Sequence, residues 1–180
     1  ISATIAESNQ YWDRQTGQFF MRIAFTVNSG KTGEEITRVL KPAIDRFGIK
    51  TTLVDRARKP RLIIMVSRFD HALLHLLYQV KVGWLNAEVV AIVSNHEDSR
   101  ATAELEGVPY HHWKATKDNK PELDEKLLNL VREIDADLVI LARYMQVLSA
   151  TISTRRYGKG INIHHSFLPS FKRAKPYHQA

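Results

Sequence analysis

The sequence predicts a doubly wound, mostly parallel α/β sheet over residues 61–180, preceded by a partial α+β domain over residues 1–55, with 56–60 as the linker. From Leu62 onward, short apolar runs alternate with segments of helical spacing, and that order builds parallel sheets. Runs such as Leu62–Val66 and Leu138–Ala142 are apolar throughout, as strands buried on both faces are. The first 55 residues read differently, with aromatic and β-branched content around one amphipathic helix.

Element by element, Ile1 to Tyr11 reads as extended chain, Arg14-Gln15-Thr16-Gly17 as a hairpin turn and Phe19 to Val27 as a strand. Alternation puts Phe19, Met21, Ile23 and Phe25 on one face and Phe20, Arg22, Ala24 and Thr26 on the other, so one buried and one partly covered side are expected. Ile36, Val39, Leu40, Ile44 and Phe47 give Thr32 to Phe47 a helical stripe, which Gly48 ends; Ile49 to Val54 follows as a last strand. Strand, strand, helix, strand is what remains of a βαββαβ domain without its first strand and helix. So small a sheet stabilises poorly alone, and pairing with a second subunit, hence a homo-oligomer, is expected. The charged, proline-terminated stretch ending at Pro60 is the linker.

Beyond it the expected order is strand Leu62–Val66, helix Asp70–Val80, strand Ala87–Ser94, helix Ser99–Glu106 and a short extended piece Pro109–His111. Helix Glu122–Ile134, strand Leu138–Ala142, a helical piece Ala150–Arg156 and strand Gly160–His164 complete it. Ligands bind such sheets at the carboxyl ends of strands, where Ser67, Asn95, Arg143 and His164 fall. Asp70 is placed as a helix N-cap.

Composition bounds the function. At 44% hydrophobic and 25% charged the chain is of ordinary soluble type, no apolar run approaches the ~20 residues that span a bilayer, and no secretory leader is evident. No membrane association is expected, and the cytoplasm is the default location. The absence of cysteine removes disulfides, thiolate metal sites and cysteine nucleophiles. The net charge of +7 is dispersed rather than gathered in one stripe, which speaks against nucleic acid as a partner.

The most informative stretch is Gly160-Ile161-Asn162-Ile163-His164-His165-Ser166-Phe167-Leu168-Pro169-Ser170-Phe171. On a strand, Asn162 and His164 share one face, while Ile161 and Ile163 are expected to enter a core on the other. An amide that donates to a carbonyl oxygen beside an imidazole that polarises it or moves a proton can open a formyl or acyl group. The same two side chains equally fit a strand end whose polar groups cap a loop. The turn Ser67-Arg68-Phe69-Asp70-His71 has no glycine, so it offers no phosphate cradle and no nucleotide site. His71 and His75 lie four apart on a helix without a third ligand, and the adjacent pairs His111-His112 and His164-His165 diverge on extended chain; no metal is expected.

Asn162-Ile163-His164 followed by Ser166-Phe167-Leu168-Pro169-Ser170-Phe171 is similar to the signature of the folate-dependent formyltransferases. The doubled His164-His165 and Lys175-Pro176-Tyr177-His178-Gln179-Ala180 resemble the formyltetrahydrofolate deformylases among them. Leu141-Ala142-Arg143-Tyr144-Met145-Gln146-Val147-Leu148 looks like the family's folate-binding stretch, and Val93-Ser94-Asn95-His96 and Gly107-Val108-Pro109 extend the likeness. Arg173 departs from it, standing where the family has a glycine between Lys172 and Ala174. Phe19-Phe20-Met21-Arg22 resembles the deformylases' N-terminal ACT-type, ferredoxin-like regulatory module.

The resemblance implies a Rossmann-like formyltransferase fold and hydrolysis of 10-formyltetrahydrofolate to formate and tetrahydrofolate, in support of one-carbon and purine metabolism. Asn162 and His164 would be catalytic. Arg143, Tyr144, Met145, Val147 and Leu148 would form the pterin pocket, with His165 and Ser166 shaping it. Lys172, Arg173 and Lys175 would attract the anionic folate tail. Folate is then the substrate, with no separate cofactor, and a small amino acid would act at the ACT-like part. The family's catalytic Asp would lie beyond Ala180, so the chain is read as a fragment. The alternatives are a formyltransferase acting on an amine, either glycinamide ribonucleotide or methionyl-tRNA, and a non-catalytic folate or amino-acid sensor. Glycinamide ribonucleotide formyltransferase carries a Gly-rich loop where this chain has Ser67 to His71.

Overall fold

A computed structural model describes residues 2–163 apart from 28, 29, 117, 147 and 157. It divides the chain into two units, Ile1–Arg58 and Lys59–Ala180.

In the first unit, strands β1 (Ala3–Asp13) and β2 (Gln18–Val27) form an antiparallel ribbon, with Trp12 opposite Phe19 and Tyr11 opposite Phe20. The turn between them follows from one carboxylate. Asp13 accepts hydrogen bonds from the Thr16 hydroxyl at 2.6 Å and the Gln15 N–H at 2.9 Å, bonds that hold its carboxyl below the ordinary aspartate range. Gly17, at φ +66°, closes the turn in a conformation other residues resist. Helix α1 (Gly33–Phe47) starts on a capping box in which Thr32 accepts from the Glu35 N–H and the Glu35 carboxylate accepts from the Thr32 N–H. Gly48, at φ +60°, ends it.

Two expectations for this unit fail. Residues 49–54 join no strand ladder, because the only ladder described in the unit is the one β1 and β2 make with each other. Neither face of the ribbon is covered along its outer half: Phe19, Phe20 and Met21 are 55, 52 and 54% exposed. Two strands with opposite faces both apolar have nothing of their own to bury against.

Among the described residues the second unit holds a five-stranded, wholly parallel sheet. Its strands are β3 (Arg61–Val66), β4 (Glu88–Ser94), β5 (Tyr110–His112), β6 (Leu138–Ala142) and β7 (Gly160–Ile163), in the spatial order β5-β4-β3-β6-β7. Helices α2 (His71–Lys81), α3 (Arg100–Leu105), α4 (Lys120–Glu133) and α5 (Ala150–Arg155) join them. The sequence places these elements to within about two residues, the usual ambiguity at element ends. On one face Ile63, Met65, Val93 and Val139 pack with Leu127, Leu130 and Val131 of α4 and Ile152 of α5. On the other, Ile64, Val66, Ile92 and Ala142 pack with Leu73 and Leu77 of α2 and Ala103 of α3. Burial on both sides is why the strands read as unbroken apolar runs. Asp70 occupies the N-cap position of α2 but makes no capping bond through its side chain. No helix among the described residues is long and apolar enough to cross a membrane.

Candidate active site

The sheet order reverses between β3 and β6, and the carboxyl ends of β4, β3, β6 and β7 therefore meet around the crevice where ligands bind such folds. Ser67 follows β3 and is 4% exposed. Its hydroxyl donates to Asn95 Oδ1, after β4, at 2.8 Å and accepts from the Met145 N–H, after β6, at 3.0 Å. The loop after β4 is held further by the Ser94 hydroxyl, which accepts from the His96 N–H, and by Tyr110, whose hydroxyl donates to the His96 carbonyl at 2.6 Å. Just beyond, Glu97 accepts from Arg100 and lies 2.6 Å from His112 Nδ1.

Arg143 leaves β6 at φ +57°, a conformation that only glycine adopts without cost. Its guanidinium carbon sits 5.5 Å from the centre of the Phe69 ring, while its buried Nε has no hydrogen-bond partner among the described residues. Tyr144 and Leu148 pack against the α4 side of the core, and with Gln146, Lys120, Leu123 and Asp124 they line a cavity of about 40 Å³. Burial pushes the Tyr144 hydroxyl upward, and Asp124 adds to the shift. Met145 is 52% exposed.

Asn162 lies on β7 directly beside Leu141, which in turn lies beside Met65. Neighbours across a parallel ladder share a face, so Asn162 belongs to the side that carries Tyr144, Leu148 and their cavity. The donor and the candidate pocket thus stand on one face of the sheet. Ile161 and Ile163 do face the opposite way, but they are 52 and 39% exposed rather than in a core. Among the described residues β7 ends the sheet order, and α2 and α3 pack over β3, β4 and Ala142 of β6 instead. His164, His165, Ser166 and Val147 lie outside the described residues, as do Lys172, Arg173 and Lys175.

His71 and His75 are both exposed on α2, and no group of three or more metal-ligating side chains occurs among the described residues. A larger open groove of about 400 Å³ runs past Leu77, Lys81 and Glu88. It lies at the amino end of β4, away from the crevice. The sequence places Ser67 and Asn95 at strand ends but gives them no task, and shows Phe69 only as part of a glycine-free turn.

Replacing Arg143 by Gly separates the backbone cost from the side chain's use. Arg143→Gly is expected to raise thermal stability by up to about 1 kcal/mol, because glycine accepts positive φ freely, while weakening folate binding. Unfolding curves and a binding titration read the two effects separately.

A parallel doubly wound sheet with its polar groups gathered at the switch point is a ligand-binding or catalytic α/β domain. The sequence model of the formyl transferase family matches residues 60–180. The chain belongs to the formyl transferase family. It is 44% identical to the formyltetrahydrofolate deformylase of Corynebacterium sp. (strain P-1) over 98% of this chain and 62% of that protein. The crystal structure of a formyltetrahydrofolate deformylase from Pseudomonas putida superposes with a TM-score of 0.84 at 42% identity, covering 99% of this chain and 64% of that one. One from Pseudomonas syringae gives 0.89 at 35% identity, covering 99% of this chain and 60% of that one. The chain thus spans roughly three fifths of each of these relatives.

Proposed function

We propose that the protein hydrolyses 10-formyltetrahydrofolate to formate and tetrahydrofolate, as the names of its relatives indicate for them. The observation that carries this reading is the placement of Asn162 beside the end of β6, on the face that holds the Tyr144 and Leu148 cavity. In this reading backbone groups after β6 bond the edge of a flat pterin ring lying in the strand-end crevice while Met145 and Leu148 cover it; the 40 Å³ cavity beneath Tyr144 is too small to hold the ring itself. Water attacks the formyl carbon, and the carbonyl oxygen becomes an oxyanion to which Asn162 donates. His164 polarises that oxygen or carries the proton to N10, whose bond to carbon then breaks. In this reading an Asp orients the water. Folate serves as substrate, with no separate cofactor, in one-carbon metabolism, and Lys172, Arg173 and Lys175 draw in its anionic tail.

Residues 1–55 are proposed as a partial ACT-like module that pairs with its copy in a second subunit and takes a small amino acid, 56–60 as the linker and 61–180 as the catalytic part. The uncovered apolar ribbon supports the pairing. Formate release by the purified full-length protein, with and without an amine acceptor, tests the reading. Formate at the same rate in both supports hydrolysis; formylated amine in place of formate would make the protein a transferase, and neither product would leave only a binding role.

A further inference from the structure

Ser67 ties together three adjacent strand ends through one buried hydroxyl, with its donor on Asn95 and its lone pair on the Met145 N–H. Beyond the ladder, which pairs β6 as far as Ala142, the Met145 N–H is tied to the rest of the sheet through Ser67. The segment begins at a positive φ as it leaves β6; Tyr144 packs against the core, but Met145 is exposed, so at Met145 the Ser67 bond supplies what burial does not. A backbone in such a conformation persists only where its surroundings hold it there.

We infer that Ser67 is a positioning residue for substrate binding: it holds the Met145 amide, and through it the Arg143–Gln146 segment, in line with the loop after β4. The inference rests on the reading of that segment as the folate-binding stretch. Ser67 touches no reacting atom in this account. An interaction that serves ground state and transition state alike shows in KM and leaves kcat nearly unchanged.

The test uses the full-length protein and two measurements. Hydrogen exchange of the Met145 amide, without ligand, reads the tie itself; KM and kcat for 10-formyltetrahydrofolate read its consequence. In Ser67→Ala, exchange is expected to quicken and KM to rise about tenfold, the effect of leaving one buried donor unpaired, with kcat changed less than about threefold. Ser67→Thr, which keeps the hydroxyl, should restore both. Asn95→Ala, which frees the Ser67 hydroxyl to turn, should give the same changes in smaller measure and serves if Ser67→Ala does not fold. Unchanged exchange in both variants would overturn the tie. Quickened exchange with unchanged KM would overturn the positioning role. A wild-type protein that shows no turnover would instead remove the functional reading, and this inference with it, whatever the exchange shows.

Discussion

Replacing Asn162 by Ala, or His164 by Ala, in the full-length enzyme is expected to lower formyl hydrolysis by at least about 100-fold, the usual loss for one oxyanion donor or proton carrier. Asn162 stands on β7 beside Leu141, on the same face as the cavity under Tyr144 and Leu148. The backbone that carries its side-chain amide lies in a parallel ladder rather than in a loop, which gives the donor a fixed origin. A neutral formyl oxygen asks little of such a donor, and the oxyanion asks much, so the loss falls on turnover and folate binding survives. Steady-state formate release with a separate binding titration distinguishes the two. Near-normal turnover in both variants would leave Asn162 and His164 as the polar cap of a strand end.

Deleting residues 1–55 is expected to reduce the oligomer and abolish any response to amino acids, while hydrolysis stays detectable. Ile5, Tyr11, Trp12, Phe19, Phe20 and Met21 are all more than half exposed on a two-stranded ribbon, which cannot bury both of its faces alone. Pairing across two copies removes that surface from water, and Asn162 and Arg143 belong to the other part of the chain. Light scattering reads the assembly and formate release reads the activity. The same oligomer after deletion, with an unchanged amino-acid response, would end this division of labour.

Much of the sheet was legible from Leu62 onward because parallel strands covered on both faces leave an unbroken apolar record, as in Ile63, Ile64 and Met65. Ile161 and Ile163 carry the same apolar pattern, yet no helix among the described residues covers them. Residues 49–54 have strand-like composition, but a strand also needs a partner with a free edge, which composition does not record. Asp70 has a capping residue's identity without its bond. The task of Ser67 was beyond reach for another reason: its two partners lie 28 and 78 residues away, and only the strand order brings them together.

The central claim is that water, positioned at a formyl carbon bound beside Asn162, is the acceptor. Turnover of 10-formyltetrahydrofolate in water enriched in oxygen-18, with an amine also present, measures this directly. Formate that carries one labelled oxygen, with tetrahydrofolate released in equal amount and no formylated amine, is the result the account predicts. Formyl transfer to the amine, or formate without label, would contradict it.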